Sequence, residues 1–426
     1  MKRHLIGIGG VGMSALATAL VRLGDEVTGA DRTLGTPNIR FLESLGVKVF
    51  PDDGSGIDTA TDEVIVSTAI EETNPGLAKA KSLGIPVTHR AKALARTLSG
   101  YKLVAVVGTC GKSTVTAMLG HVLAECGLDP MCVDGANVPG WEGAVRFGKG
   151  AYAVAEVDES DKSLVAFTPY AAVVTNASAD HYSKEEMDRV FDDFVKDLPG
   201  PLVEGRRPDC LISGLKNSLI SRLKAVLPLP GEHNLMNAKL AVAMAVALGV
   251  DPEKAVDSFA TFRGVERRLQ RILPTPNPPT PNPVSPVVYD DYAHNPEKLH
   301  AMWTTVAEAH PGGICVVWRP HGYAPLRKML DALAEMFDKT IGPKDRLLLL
   351  PVYDAGGTTD RSINSDALLE KMEKTGGGGE RVVLVSDLDA AYDWCAAHRD
   401  DFVAFVTCGA RDPGLPVLAK RLAEMQ

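Results

Sequence analysis

At 426 residues, 45% of them hydrophobic and 23% charged, the chain is long enough for about two to four packed domains and too apolar to be disordered. A net charge of −9 argues against a general nucleic-acid or anionic-membrane binder, so any phosphate ligand must find its positive charge locally and the expected partners are small molecules. Seven cysteines without Cys-x-x-Cys spacing fit reduced thiols in a cytoplasm better than a disulfide framework or a zinc site.

Lys2 and Arg3 precede an apolar run, and Ala15-Leu16-Ala17 imitates a signal cleavage site. The glycines at 7, 9, 10 and 12 make that run a poor signal helix. The pattern predicts instead a strand over 5–8, a turn Gly7-x-Gly9-Gly10-x-Gly12, a helix over 13–23 ending at Gly24, and a strand over 26–30 that closes on Asp31. In a dinucleotide-type α/β unit that acid meets a ribose. Taken alone, this segment also suits an NAD-dependent oxidoreductase. Strands over 63–67 and 86–88 extend the unit to about residue 99. No uninterrupted apolar stretch is long enough to span a bilayer, so a cytoplasmic, non-membrane protein is expected.

The next block, 100–265, opens on Val104-Ala-Val-Val-Gly-Thr-Cys-Gly-Lys-Ser-Thr-Val115. Residues 103–107 predict a buried parallel strand and 116–126 a helix, joined by a turn in which Gly108 and Gly111 let backbone N–H groups face an anion. Lys112 would reach the outer phosphates and Ser113 or Thr114 would hold Mg²⁺. Val106 stands where the full P-loop pattern has its first glycine, so a strand-turn-helix that merely carries a lysine is the alternative. Strands over 152–156 and 171–175 deliver Glu156 and His181 to the carboxyl edge, where open α/β sheets bind ligands. A carboxylate and an imidazole suit Mg²⁺, which takes few protein ligands, although each alone better suits a solvated loop or a helix-cap neighbour. An alanine-rich helix is predicted over 234–248.

The third block, 266–426, carries predicted strands over 287–290, 314–318, 346–350, 382–385 and 402–406. The proline-rich stretch 274–286 lacks sheet donors and helix dihedrals, and with the glycine run 376–379 it reads as a surface excursion.

Seven motifs in order resemble the Mur ligases over nearly the whole chain: residues 7–17 (GIGGVGMSALA), 108–114 (GTCGKST), 156–161 (EVDESD), 175–181 (TNASADH), 231–238 (GEHNLMNA), 264–268 (GVERR) and 290–296 (DDYAHNP). Within that family the likeness is greatest to the branch that adds L-alanine to UDP-N-acetylmuramic acid. The resemblance implies an α/β fold of three domains: an N-terminal Rossmann-like one (1–99) for the UDP-sugar, a central P-loop ATPase-like one (100–265), and a C-terminal Rossmann-like one (266–426) that closes on ATP. It implies ATP-dependent amide formation through an acyl phosphate in peptidoglycan precursor synthesis, with ATP and Mg²⁺ as cofactors and a monomer or homodimer as the active form.

Residue by residue, the likeness places Gly108, Thr109, Cys110, Gly111, Lys112, Ser113 and Thr114 around the phosphates, with Lys112 on the transferring group. Ser113 and Glu156 resemble Mg²⁺ ligands and His181 a ligand of a second ion. Asn234 and Asn237 look like the pair on the nucleotide, and Arg268 and Asp291 like the third-domain residues that meet it. Gly9, Gly10 and Gly12 would cradle the sugar nucleotide's diphosphate, with Asp31 near the uridine, and Tyr292, His294 and His321 would face the amino acid. The chain departs from the family in three places. Cys110 replaces a usual histidine, residues 196–231 are shortened, and Gly322 and Pro325 stand where the alanine-adding branch has carboxylate-binding arginines. Arg319 and Arg327 are candidates to replace them. The departures leave open a different acceptor, or an idle paralogue that only binds a sugar nucleotide.

Overall fold

The computed structural model describes residues 1–158, 163–177, 184–206, 216–274, 286–354, 360–375 and 381–425. His181, residues 159–161, most of the proline-rich stretch and the glycine run 376–379 lie outside them. The chain divides into two compact units, Met1–Val265 and Glu266–Gln426.

The first unit holds two sheets. One consists of β1 (Lys2–Ile6), β2 (Glu26–Asp31), β3 (Lys48–Pro51), β4 (Glu63–Val66) and β5 (Val87–His89), all parallel in the order β3-β2-β1-β4-β5. The order reverses at β1, and the crevice beyond the carboxyl ends of β1 and β4 is where such sheets take ligands. The second sheet consists of β6 (Lys102–Val107), β7 (Met131–Val133), β8 (Val145–Arg146), β9 (Tyr152–Glu156), β10 (Ala171–Val174) and β11 (Leu202–Glu204), in the order β11-β10-β6-β9-β7-β8. Only β8 runs antiparallel. β6 is buried on both faces from Leu103 to Val107, which is why its β-branched run does not alternate with polar residues. One apolar cluster runs from Leu5 and Leu16 of the first sheet's layer to Ala105 and Met131 of the second's.

The second unit carries β12 (Gln270–Ile272), β13 (Val287–Asp291), β14 (Ile314–Trp318), β15 (Arg346–Leu349), β16 (Val382–Leu384) and β17 (Ala404–Cys408), in the order β12-β13-β17-β14-β15-β16. Only β12 is antiparallel. Trp303, Trp318 and Phe337 fill its core. Many helices start on one local device: a capping Thr36, Asn74, Asp251 or Asn295 side chain accepts a bond from the backbone N–H three residues on, with proline next in sequence.

Predicted and observed boundaries differ where packing rather than pattern sets them. The phosphate-loop helix is Lys112–Glu125, beginning four residues before the predicted start. Gly111, at φ 82°, serves as its N-cap and lets it begin at once. β17 lies two residues later than predicted, because a strand paired on both sides has no polar alternation to fix its ends. β3, β7, β8, β11 and β12 escape sequence reading. Each has two to four residues at or next to a sheet edge.

His4 lies fully buried on β1, with Nδ1 2.9 Å from Thr28 Oγ1 and Nε2 without a partner among the described residues. Burial lowers its pKa from 6.5 to about 4, against smaller opposing effects of Asp52 and Asp58. Between those pH values the unfolded chain binds a proton that the native imidazole does not. Stability is therefore complete above pH 6.5 and is lost as pH falls toward 4, with this residue contributing on the order of 3 kcal/mol. Urea unfolding of the N-terminal unit should show that slope in the wild type and a flatter one in His4→Gln; parallel curves would contradict it.

Candidate active site

The loop between β6 and its helix is held open by side chains. Asn176 Oδ1 accepts from Thr109 Oγ1 (2.6 Å) and from the Cys110 N–H (2.9 Å), while Asn176 Nδ2 (2.9 Å) and Thr175 Oγ1 (2.6 Å) both donate to the Cys110 carbonyl. Gly108 at φ 133° and Gly111 at φ 82° admit no side chain. A Cβ on the first would lie 2.1 Å from Thr175 Oγ1, and one on the second 2.6 Å from Asn237 Oδ1. Cys110 contributes its backbone to this clamp.

At the head of the helix, Lys112 donates from Nζ to the Gly108 carbonyl at 2.7 Å and stands 3.8 Å from Asp158. Ser113 Oγ donates to Glu156 Oε2 at 2.7 Å, and the same oxygen accepts from the Gly135 N–H at 3.1 Å. Register explains the meeting: Val106 of β6 sits opposite Glu156 of β9, so the strand's last side chain and the helix's first turn share one edge. Ser113, rather than its equally buried neighbour Thr114, is the hydroxyl that meets the carboxylate. A hydroxyl and a carboxylate beside a backbone cradle are the hard oxygen donors that fit Mg²⁺ on phosphate oxygens. Asn237 lies against the loop at Gly111, whereas Asn234 Nδ2 donates to the Pro230 carbonyl at 2.7 Å and shapes the turn before its own helix.

The N-terminal glycine turn follows β1. Asp31 Oδ2 accepts from the Gly9 N–H at 2.9 Å and Oδ1 from the Thr33 N–H at 3.0 Å, so this carboxylate braces the turn. Asn38 Nδ2 donates to the Gly9 carbonyl at 2.9 Å. Gly10 is the N-cap of the Val11–Arg22 helix. Sequence reasoning missed Arg90, the first residue of the Arg90–Thr97 helix at the carboxyl end of β5. A methyl on Gly12 would lie 2.9 Å from its Nη1, and Arg90 has no hydrogen-bond or ion-pair partner among the described residues. A basic residue directly after a strand of this sheet was the signal available.

In the second unit, Asp291 Oδ2 and Oδ1 accept from the Leu269 and Ala293 N–H groups, both at 2.7 Å. Arg267 and Leu269 hold left-handed φ of 58° and 46°, strain that these bonds help to maintain. The Arg267 and Arg268 guanidinium carbons lie 5.1 and 5.4 Å from the Tyr292 ring centre. Tyr292 meets His294 edge-on at 5.6 Å, and His294 meets His321 at 4.9 Å, so Arg268, Tyr292, His294 and His321 form one row. Arg267 Nε pairs with the buried Asp290 at 3.1 Å, where burial pushes that carboxyl up to about 6. Both candidates to replace the family's arginines make bonds within the protein, though Arg319 Nε has no partner among the described residues. Arg319 Nη1 is bound to the buried Asp412 at 2.6 Å, and Arg327 pairs with Asp360 at 2.8 Å and Ser362 at 3.0 Å.

The chain as a whole has known relatives. The family model for the Mur ligase family, catalytic domain, matches residues 2–102, and that for the Mur ligase glutamate ligase domain matches residues 280–411. A UDP-N-acetylmuramate-L-alanine ligase of Rubrobacter xylanophilus is 35% identical, with 97% of each chain covered. One of Rhizobium meliloti is 31% identical over 99% of this chain and 97% of its own. Among solved structures, UDP-N-acetylmuramate-alanine ligase MurC of Thermotoga maritima shares the fold at a TM-score of 0.79 and 24% identity, covering 100% of this chain and 98% of its own. With three sheets of matching α/β kind and relatives alike from end to end, the chain belongs to the Mur ligase family, ATP-dependent ligases of acids with amino acids.

Proposed function

We propose that the protein phosphorylates the carboxylate of a UDP-N-acetylmuramic-acid-type sugar nucleotide with ATP and passes the acyl group to an amino acid, L-alanine first among candidates, in making a peptidoglycan precursor. The observation that carries this reading is the Ser113–Glu156 pair set beside Lys112 at the mouth of a backbone cradle. A carboxylate does not react with an amine at neutral pH because oxide is too poor a leaving group. A carboxylate oxygen therefore attacks the γ-phosphorus and ADP leaves; the amine then adds to the carbonyl carbon, loses a proton, and phosphate departs with the former carboxylate oxygen.

The chain's part is to position the reactants and neutralise charge. Lys112 is assigned to the transferring phosphoryl group, and Gly108, Thr109, Cys110, Gly111 and Thr114 to the cradle. Mg²⁺, held by Ser113 and Glu156, would supply further neutralisation there. His181, proposed for a second ion, lies outside the described residues. Asn234, Asn237, Arg268 and Asp291 are assigned to the nucleotide; Gly9, Gly10, Gly12 and Asp31 to the sugar nucleotide; Tyr292, His294 and His321 to the acceptor. Residues 1–99, 100–265 and 266–426 are the three functional pieces. We place the enzyme in the cytoplasm as a monomer or homodimer; no described helix is long and apolar enough to cross a membrane.

Arg90, set against the glycine turn, is a further candidate for the diphosphate. Arg90→Ala is expected to raise KM for UDP-N-acetylmuramate about tenfold with KM for ATP unchanged, the loss of one charge-assisted contact. An unchanged KM would remove Arg90 from the site.

A second reading, ligation to another acceptor, is favoured by Gly322 and Pro325, since neither can replace a guanidinium fork. Incubating the enzyme with ATP, Mg²⁺, UDP-N-acetylmuramate and mixed amino acids, then weighing the products, separates the two. An L-alanyl adduct supports the first reading, an adduct of another amino acid supports the second, and no adduct of any kind overturns both.

A further inference from the structure

Three loops at the carboxyl edge of the C-terminal sheet are tied together. β17 lies between β13 and β14, and past their ends the Gly409 N–H donates to the Asp291 carbonyl at 3.2 Å and the Arg319 N–H to the Cys408 carbonyl at 3.1 Å. The buried Asp412 then accepts from Arg319 Nη1 at 2.6 Å and from the Gly414 N–H at 2.8 Å, which locks residues 409–414 against the loop that carries His321. Between those anchors sits Arg411, at φ 69°, a left-handed conformation that glycine adopts without strain and a long side chain does not. Its side chain is exposed and has no hydrogen-bond or ion-pair partner among the described residues. The bend closes a tight turn in which the Asp412 N–H donates to the Ala410 carbonyl at 2.9 Å, and it carries the Arg411 side chain outward while Asp412 turns in to Arg319.

The surroundings say what kind of ligand this side chain suits. His321 meets His294 ring to ring at 4.9 Å. Its pKa is lowered to about 4, first by burial and then by the positive charges of His294, Arg411 and Lys298. Arg411 and Lys298 thus bring positive charge to bear on a neutral His321 ring, which adds hydrogen-bonding capacity without adding charge. An amino acid reacts through its amine but carries a carboxylate that must be neutralised and held. Arg319, just after the strand, spends Nη1 on the buried Asp412 while its Nε has no partner among the described residues, and Arg327 on the following helix pairs at the surface with Asp360.

We propose that Arg411, on the loop that Asp412 ties to the one carrying His321, binds the carboxylate of the acceptor amino acid and so restores a cation that Gly322 and Pro325 do not supply. The assignment rests on the ligase reading above. It makes Arg411 a residue that determines specificity for amino acids over simple amines.

Arg411→Gly is the informative variant, because glycine relieves the backbone and leaves Asp412 in place. Its thermal midpoint should equal or exceed that of the wild type, while KM for L-alanine, or for whichever amino acid the wild type accepts, rises about tenfold or more. KM for ATP and for UDP-N-acetylmuramate should stay unchanged, and Arg411→Lys should recover part of the loss. The wild type should prefer L-alanine to L-alaninamide, and the glycine variant should lose that preference. Amide formation by the wild type with an unchanged amino-acid KM and preference in Arg411→Gly overturns this assignment alone. A wild type that forms no amide with any amino acid overturns the ligase reading and this assignment with it.

Discussion

Lys112→Ala should lower kcat roughly a hundredfold or more while the protein stays folded, the size expected when one preorganised charge stabiliser is lost. The fold should survive because the loop does not depend on this ammonium. Asn176 and Thr175 hold Thr109 and Cys110 through four side-chain bonds, and Gly111 caps the helix without a side chain. What the alanine removes is a cation, with a side chain only 12% exposed, pinned at the helix's first residue by the Gly108 carbonyl. Lys112→Arg should rescue little, since a planar fork does not fit where a compact ammonium sits 2.7 Å from backbone. Phosphate release at saturating substrates measures it, and an unchanged rate in a folded variant would contradict the role.

Glu156→Gln is the second large effect. The amide keeps the carboxylate's shape and can still accept from Ser113 Oγ and the Gly135 N–H, so the local fold should persist. It loses the negative charge a magnesium ion needs. Apparent Mg²⁺ affinity should fall about 10- to 100-fold or more, on the scale of losses seen when even outer-shell partners are changed. Raising Mg²⁺ should then restore part of the turnover, which distinguishes lost binding from a damaged site. The packing here is tight: a Cβ on Gly135 would lie 2.5 Å from Glu156 Oε2, so the carboxylate's position is fixed by that glycine's bareness. Superimposable magnesium titrations of wild type and variant would count against Glu156 as a ligand.

Much of this was legible in the sequence where chemistry forces a pattern. β6, β9 and β14 are long buried parallel strands, and each was expected within a residue of where it lies. Gly108 and Gly111 were expected to turn the chain and do, with positive φ. The meeting of Ser113 with Glu156 follows from placing a strand end and a loop on one sheet edge. Less was legible where side chains act on backbone at a distance. Nothing in the spelling of Asn176 announces that it clamps residues 66 or 67 positions earlier. Asp31 was expected near a ribose, and its described bonds go to Gly9 and Thr33. That Arg319 spends Nη1 within the protein could not be read from the sequence, because its buried partner, Asp412, lies 93 residues away. Arg90 and Arg411 drew no notice in the sequence for the converse reason. That a cation has no partner among the described residues is visible only once those partners have a place.

The departures from the alanine-adding branch also acquire a physical setting. Gly322 caps the Tyr323–Thr340 helix and Pro325 occupies its first turn, positions where neither residue costs helix stability. The helix start is therefore sound, and what has changed there is charge. Cys110 likewise serves through its N–H and carbonyl, so losing the usual histidine leaves the clamp intact.

The central claim, that this loop spends ATP on making a carboxylate electrophilic, is tested most directly by isotope. With UDP-N-acetylmuramate labelled by ¹⁸O in its carboxylate, plus ATP, Mg²⁺ and the accepted amino acid, each phosphate released should carry one ¹⁸O taken from the acid. Unlabelled phosphate accompanying amide formation would contradict the account.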